Sequence, residues 1–276
     1  MLQFGTNICK KARFYNFYEQ LNKNYYIFIL VLNMKQHEAV IKVMKENGGF
    51  ATLGHLYQHA LKIKECEWKT KTPYASIRRI VQDDRFFFKI KPGLWALKSK
   101  KDDVLKKFSL DEKSSIKKKE EFNHTYFQGL LAEIGNANGF ETHVPNQDKN
   151  KLFLDKPLKE IISLENIHIF TYPDIVKKAQ TVDVVWFNKR KFPSYFFEVE
   201  HTTSFDNSLL KFFELQDFNS KFFIVSNNKR KQSFLNKINA SAFENIEPRT
   251  KFLDYEKLSE LHQKTFEYYK VQKLLI

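Results

Sequence analysis

Hydrophobic and polar positions between Met34 and Leu97 follow the spacing of three short helices and then of two strands. Thr52 is a suitable N-cap for the second helix, and Thr72-Pro73 a suitable start for the third. The predicted helices cover 34–47, 53–61 and 73–84. Residues 86–97 are rich in aromatic side chains and turn at Pro92-Gly93, which predicts a hairpin. Three helices and a hairpin form a winged helix, so residues 34–99 are predicted to be a small domain of this kind.

The second half of the chain alternates helical periodicity with apolar, strand-like runs. Helices are predicted at 124–134, 206–218, 229–239 and 255–273, and strands at 140–144, 182–187, 195–200 and 222–226. The two strands around the basic turn 188–191 are expected to pair as a hairpin. This order predicts an α/β (α+β) domain with a mixed sheet over residues 122–276. Residues 146–180 have weak periodicity, which is typical of an insertion or a long loop.

Two segments lie outside these domains. Residues 100–121 are rich in Lys, Asp and Glu, and the part 102–121 has no net charge, which indicates a charged linker or an exposed helix. Residues 1–33 are predicted to be an N-terminal extension without clear periodicity. They are either disordered, an ordinary element packed on the body, or a stretch upstream of a true start at Met34.

Composition narrows the class of protein. The net charge of +14 favours a polyanionic partner such as nucleic acid. Most of the excess lies in residues 35–101, where 15 Lys and Arg face six Asp and Glu. Only Cys9 and Cys66 are present, which excludes a disulfide framework and a cysteine-based zinc site and fits a cytoplasmic protein. The longest apolar run, 25–32, is far shorter than the roughly 20 residues that span a bilayer.

Candidate chemistry is concentrated in the predicted hairpin 182–200. Glu198 and Glu200 are two residues apart on a strand and therefore share a face, and Asp183 on the partner strand is expected close to them. Three carboxylates suit Mg²⁺, which assists phosphodiester hydrolysis. The alternative is that both glutamates lie on the solvent face of an edge strand and pair with the basic turn 188–191.

The segments Asp183-Val-Val-Trp and Phe197-Glu-Val-Glu-His-Thr-Thr-Ser204 resemble the PD-(D/E)XK nuclease superfamily, whose members have a restriction-endonuclease-like core. The resemblance implies that Asp183 and Glu198 bind the metal, with the Val199 carbonyl as a further ligand, and that Gln128 lies nearby. It implies Mg²⁺ as the cofactor, with Mn²⁺ as a substitute. Glu200 stands where this superfamily usually has Lys, which leaves its role open between water orientation, a second metal and lost activity.

Residues 34–99 resemble the HARE-type helix-turn-helix module, through Thr72-Pro73, Ile77-Arg78-Arg79 and the segment around Pro92-Gly93. Members of that group are thought to bind DNA, and the third helix has polar and basic side chains suited to a major groove. The candidate DNA-binding residues are Lys71, Thr72, Tyr74, Arg78, Arg79, Lys89 and Lys91.

Together these features predict a metal-dependent DNA endonuclease of the type II restriction kind, with double-stranded DNA located by the winged helix. Cutting both strands requires two active sites, so a homodimer is expected, with sequential nicking as the alternative. A companion DNA methyltransferase is a further expected partner. The competing hypotheses are a catalytically inactive DNA-binding regulator that keeps the nuclease fold, and a nuclease directed at RNA.

Overall fold

The computed structural model describes the backbone of residues 34–272 and the side chains of residues 34–268. The predicted N-terminal extension, 1–33, lies outside the described residues. No helix in the described part of the chain is long and apolar enough to cross a membrane.

Residues 34–97 form three helices against a three-stranded antiparallel sheet of order β1-β3-β2. The elements are α1 (Gln36–Glu46), β1 (Phe50–Thr52), α2 (Leu53–His59), α3 (Pro73–Val81), β2 (Phe87–Lys91) and β3 (Leu94–Leu97). Thr52 caps α2 as predicted, because its hydroxyl accepts a hydrogen bond from the His55 N–H at 3.1 Å. The sequence pattern missed β1, whose three residues are all buried and therefore show no alternation.

The segment predicted as a charged linker or an exposed helix is mostly helical. A 3₁₀ turn at Lys98–Lys100 continues into α4 (Lys101–Lys107), and α5 (Ile116–Ala137) begins eight residues before the predicted start at His124. Val104 and Phe108 are buried in the same cluster as Phe50 and Phe122. These apolar contacts hold the segment against both halves of the chain.

The second half is built on a five-stranded mixed sheet of order β10-β9-β8-β7-β4, which confirms the predicted fold class. Its strands are β4 (Glu141–His143), β7 (Val184–Phe187), β8 (Pro193–Glu200), β9 (Lys221–Ser226) and β10 (Thr250–Asp254). β7 is antiparallel to both of its neighbours, and β8, β9 and β10 run parallel. The pattern missed β10, because Thr250–Asp254 is only partly buried.

Helices cover both faces of this sheet. Alternate residues of β8 separate two apolar clusters: Phe197 and Val199 pack towards α5, whereas Phe196 packs on the opposite face. The remaining elements are a short hairpin of β5 (Leu152–Phe153) and β6 (Lys156–Pro157), and the helices α6 (Pro173–Ala179), α7 (Asp206–Phe213), α8 (Lys231–Ile238) and α9 (Tyr255–Gln272). The segment 146–180 thus contains a hairpin and a helix besides its loops.

Candidate active site

Asp183 and Glu198 are adjacent at the end of the β7–β8 hairpin. Val184 pairs with Phe197 across the hairpin. Asp183 comes directly before Val184, and Glu198 comes directly after Phe197. The Asp183 N–H donates to Glu198 Oε1 at 3.3 Å, and the Val199 N–H donates to Asp183 Oδ2 at 2.7 Å. Asp183 is 9% exposed and Glu198 only 3%. The backbone therefore fixes two acidic side chains together in a place with little access to water.

Lys211 provides the positive charge beside Glu198. It lies on α7, and its Nζ is 2.9 Å from both carboxylate oxygens of Glu198 and from the Thr181 carbonyl oxygen. Burial and the neighbouring Asp183 charge raise the pKa of Glu198, whereas Lys211 opposes that shift. Burial lowers the pKa of Lys211, but the Glu198 charge outweighs burial and raises it. Glu198 is therefore paired with a helix lysine rather than with the basic turn 188–191.

Glu200 shares the face of Glu198 but is less buried. Both carboxylates are within hydrogen-bonding distance of the Ser208 hydroxyl on α7, which lies 3.2 Å from Glu198 Oε2. The Thr203 hydroxyl contacts the second oxygen of Glu200. The three predicted carboxylates thus lie side by side, with Ser208 between the two glutamates.

Gln128 and His124 on α5 reach the same site from the other face of the sheet. Gln128 is fully buried, and its Nε2 donates to Asp148 Oδ2 at 2.9 Å and to the Asp183 carbonyl oxygen at 3.1 Å. His124 Nε2 is 3.3 Å from Asp183 Oδ1. The structure therefore brings Gln128 and His124 into contact with Asp183.

The groups around Asp183 stabilise its ionised form. Burial by itself raises the pKa of this carboxyl, but the His124 charge and hydrogen bond, with the Val199 N–H, lower it below its usual value. Burial likewise lowers the pKa of His124, and the Asp183 carboxylate more than offsets this and raises it. The contact between the two side chains thus lowers the pKa of Asp183 and raises the pKa of His124.

Apart from the fully buried Gln128, these side chains line a polar cleft of about 730 Å³. Lys211, His124 and Asp148 belong to it and were not among the predicted site residues. Ser208 and Lys211 are three residues apart on α7 and so share a helix face, a signal visible in the sequence. His124 and Asp148 carry no such signal, because only the fold brings α5 and the 144–151 loop to Asp183.

Three of the seven candidate DNA-binding side chains make contacts within the protein. Arg78 forms an ion pair with Glu267 of α9 and lies 3.2 Å from the Tyr57 hydroxyl, and the Tyr74 ring packs edge-on against Tyr57. Lys89 Nζ is 3.0 Å from Glu256 Oε1. The two ion pairs attach α3 and the hairpin of β2 and β3 to α9.

The other candidates differ in exposure. Lys71, Thr72 and Arg79 are exposed, and neither Lys71 nor Arg79 forms an ion pair with a described residue. Lys91 is partly buried, and burial lowers its pKa. The surface open to a large ligand is therefore the start and the outer face of α3.

A comparison with family profiles matches residues 106–274 to the C-terminal domain of the type II restriction enzyme NmeDI. This range is more than half of the chain. The protein belongs to the NmeDI C-terminal domain family.

All the residues that line the cleft fall inside the range matched to the NmeDI family. The elements β1–β3 and α1–α3, with the candidate DNA-binding residues, precede that range. Type II restriction enzyme NmeDI from Neisseria meningitidis serogroup C is 25% identical over 150 residues. The aligned part covers 50% of this chain and 42% of that enzyme, so the chain spans less than half of its relative's length. No solved structure matches the chain significantly.

Proposed function

We propose that the protein is a metal-dependent DNA endonuclease of the type II restriction kind, which hydrolyses phosphodiester bonds. The observation that carries the proposal is the buried pair Asp183 and Glu198 with Lys211 beside it, in a polar cleft inside the range matched to a restriction enzyme domain. Buried carboxylates kept close together without an obvious structural purpose favour a catalytic centre.

The donor set fits a divalent cation. Asp183 and Glu198, with the Val199 carbonyl, offer the hard oxygen ligands that Mg²⁺ prefers, and Mn²⁺ would substitute. The fully buried Gln128 amide beside Asp183 has an Oε1 without a hydrogen-bond partner among the described residues, as expected next to a site completed by an ion or water. When bound, Mg²⁺ offsets charge on a phosphate and lowers the pKa of a coordinated water.

The residues of the chain have separate tasks in this proposal. Lys211 places an ammonium in the cleft, where it stabilises the negative charge that grows on the phosphate during hydrolysis. This is the charge that the superfamily lysine would provide, which Glu200 replaces here. Glu200 is exposed enough to orient the attacking water, and Ser208 keeps it beside Glu198. Gln128 fixes the Asp183 backbone.

Residues 34–99 would position double-stranded DNA, as a HARE-type winged helix would, since they hold most of the net positive charge. Two copies of the chain would be needed to cut both strands together, so we propose a homodimer on DNA. Protection of the host sequence would fall to a companion DNA methyltransferase.

The direct test is cleavage of unmethylated plasmid and phage DNAs by the full chain with Mg²⁺. The variants Asp183→Asn and Glu198→Gln remove one charge each and keep side-chain size, and Asp174→Asn, at an exposed position on α6, is the matched control. We expect fragments from the wild type and the control, and a loss of at least about 10² in rate in both site variants. Equal cleavage by all four proteins would disprove the site, and cleavage of RNA alone would disprove the substrate.

The second candidate function is a DNA-binding regulator without catalysis, which the acid at position 200 favours. That function predicts DNA binding by the wild type without cleavage under any divalent metal, and unchanged binding by Asp183→Asn.

A further inference from the structure

A separate pocket of about 430 Å³ lies at the carboxyl ends of the three parallel strands. His201, Asn227 and Asp254 line it, and they stand at or directly after the ends of β8, β9 and β10. Lys91, the last residue of β2, lines the pocket from the N-terminal half of the chain. In open α/β sheets, ligands commonly bind outside the carboxyl ends of parallel strands. The pocket therefore lies at a place in the fold that suits a ligand.

Lys91 gives this pocket a positive charge that the protein does not neutralise. Its side chain forms no ion pair with a described residue, and burial lowers its pKa without an acidic group that offsets the effect. The two acids of the lining have other partners: Glu256 Oε1 is 3.0 Å from Lys89 Nζ, and Asp254 Oδ1 accepts from the Lys257 N–H at 2.9 Å. A partly buried ammonium without a counter-charge is unfavourable, and an anionic ligand would relieve this cost.

Neutral side chains of the pocket add hydrogen-bonding groups to this charge. Asn227 Oδ1 accepts from the Lys229 N–H at 2.9 Å, which leaves its amide NH₂ able to donate. When the Tyr255 hydroxyl donates to His201 Nδ1, the ring proton lies on Nε2, which is buried and has no partner among the described residues. Asn123 also lines the pocket, and its buried Oδ1 is unpartnered in the same part of the chain. An ammonium with amide and imidazole N–H groups suits the oxygens of a phosphate.

The pocket is next to the candidate active site. His201 lines both the pocket and the cleft that contains Asp183 and Glu198. It follows Glu200 directly in the chain. A DNA strand with one phosphate in the cleft can therefore place a neighbouring phosphate of its backbone in the pocket.

We propose that this pocket binds a backbone phosphate of the DNA strand that enters the cleft, with Lys91 from the N-terminal half and His201 and Asn227 from the second half as its polar groups. The inference rests on the proposed function for the nature of the ligand, but it is tested through binding alone. It assigns to Lys91 a phosphate beside the active site rather than one on the surface of α3. Both halves of the protein would thus hold the same strand.

The test is binding of the full chain to a fluorescently labelled duplex in Ca²⁺, measured by anisotropy at several salt concentrations. Lys91→Met removes the charge and keeps much of the side-chain length. Lys189→Met is the matched control, because Lys189 is exposed in the turn between β7 and β8, at the opposite end of the hairpin from Asp183. We expect Lys91→Met to weaken binding and to lower the slope of log affinity against log salt concentration by about 0.9, the contribution of one phosphate contact. Lys189→Met should match the wild type, and Lys91→Arg should keep the slope.

Asn123→Asp tests the same pocket from α5. It introduces a negative charge without a change in side-chain size and should also weaken binding. Because both changes act on one phosphate, the double variant with Lys91→Met should lose less affinity than the two single losses multiplied together. Circular dichroism would show that each variant is folded.

An unchanged slope in Lys91→Met, or independent losses in the double variant, would overturn the inference. Weaker binding by Lys91→Met in a protein that cuts no DNA would overturn the proposed function and leave the pocket standing. Cleavage by the wild type, together with a wild-type slope in Lys91→Met, would do the reverse. A wild type that binds no DNA would overturn both.

Discussion

Lys211 lies on the helix after the acidic hairpin, yet its ammonium contacts the carboxylate of the strand. Lys211→Met removes the positive charge and keeps much of the side-chain length. We expect cleavage to fall by about 10²–10³, because loss of one preorganised charge-stabilising donor typically has this effect. Lys211→Arg should retain part of the activity, and Lys237→Met on α8 should retain all of it. Full activity of Lys211→Met in a timed DNA digest would contradict the proposed role.

The residues that sequence reasoning found differ physically from those it missed. Asp183 and Glu198 were predicted because strand periodicity and hairpin pairing place them together, and because the family resemblance favoured a metal site over a solvent-exposed strand face. Lys211, His124 and Asp148 reach the site through helix and loop packing, which no local pattern encodes. Gln128 came from the family resemblance, since a single Gln on an amphipathic helix has no signal of its own.

His143 is a buried histidine that does not line the candidate cleft, and it makes the stability of the protein depend on pH. Burial, with a smaller effect from Lys149, lowers its pKa to about 4. The unfolded chain takes up this proton near pH 6.5 and the folded chain only near pH 4, so the free energy of unfolding falls as the pH drops through that window. His143→Gln removes this contribution of up to about 1.4 kcal/mol per pH unit.

Urea denaturation of the wild type and His143→Gln at several pH values between 7 and 4.5 would measure the difference. The gap in unfolding free energy between the two proteins should shrink steadily as the pH falls. Parallel pH curves would show that the pKa of His143 is the same in the folded and the unfolded chain, which would contradict the prediction.

At the scale of elements, α5 lies so close to the sheet that Gly135 has no room for a side chain. A Cβ on this residue would be 2.5 Å from Thr142 Cγ2 and 2.7 Å from Trp186 Nε1. Gly→Ala in a helix ordinarily stabilises by about 1 kcal/mol, but overpacking costs typically about 1–3 kcal/mol. We therefore expect Gly135→Ala to lower the free energy of unfolding, measured by chemical denaturation.

Gly139→Asn is the matched control for Gly135→Ala. Gly139 has a φ of +77° and a Cβ there would meet nothing within 4 Å. Asn tolerates this left-handed conformation, so the loss should stay below about 1 kcal/mol. A Gly135→Ala protein more stable than the wild type would show that the helix can move away from the sheet.

The helices and strands also show where the hydrophobic pattern of the sequence does not predict the structure. The first two turns of α5 were predicted only as a charged linker or an exposed helix, because they are mostly exposed and rich in Lys and Glu, which give no apolar periodicity. The strands β1 and β10 were missed for opposite reasons, full burial in one and partial exposure in the other. The hairpin of β7 and β8 was predicted because apolar runs flank a short polar turn.

At the scale of the whole molecule, the two halves share one apolar cluster and several polar contacts. Phe50, Leu94 and Ala96 from the N-terminal sheet pack with residues of α5, and the Tyr126 hydroxyl donates to the Pro92 carbonyl oxygen at 2.7 Å. The ion pairs of Arg78 and Lys89 with α9 add to this junction. The charge excess of residues 35–101 predicted a nucleic-acid surface, but not which basic side chains the fold would use internally.

The difference between basic side chains that are paired within the protein and those that are not predicts how DNA affinity responds to salt. Lys71 and Arg79 are exposed and form no ion pair with any described residue, whereas Lys89 is paired with Glu256. Each phosphate contact contributes about 0.9 to the slope of log affinity against log salt concentration. Lys71→Ala and Arg79→Ala should each reduce the slope by about that amount, and Lys89→Ala by clearly less. Fluorescence anisotropy with a labelled duplex in Ca²⁺, from 50 to 300 mM salt, would measure the slopes, and the reverse order would place the DNA on the hairpin side of the domain.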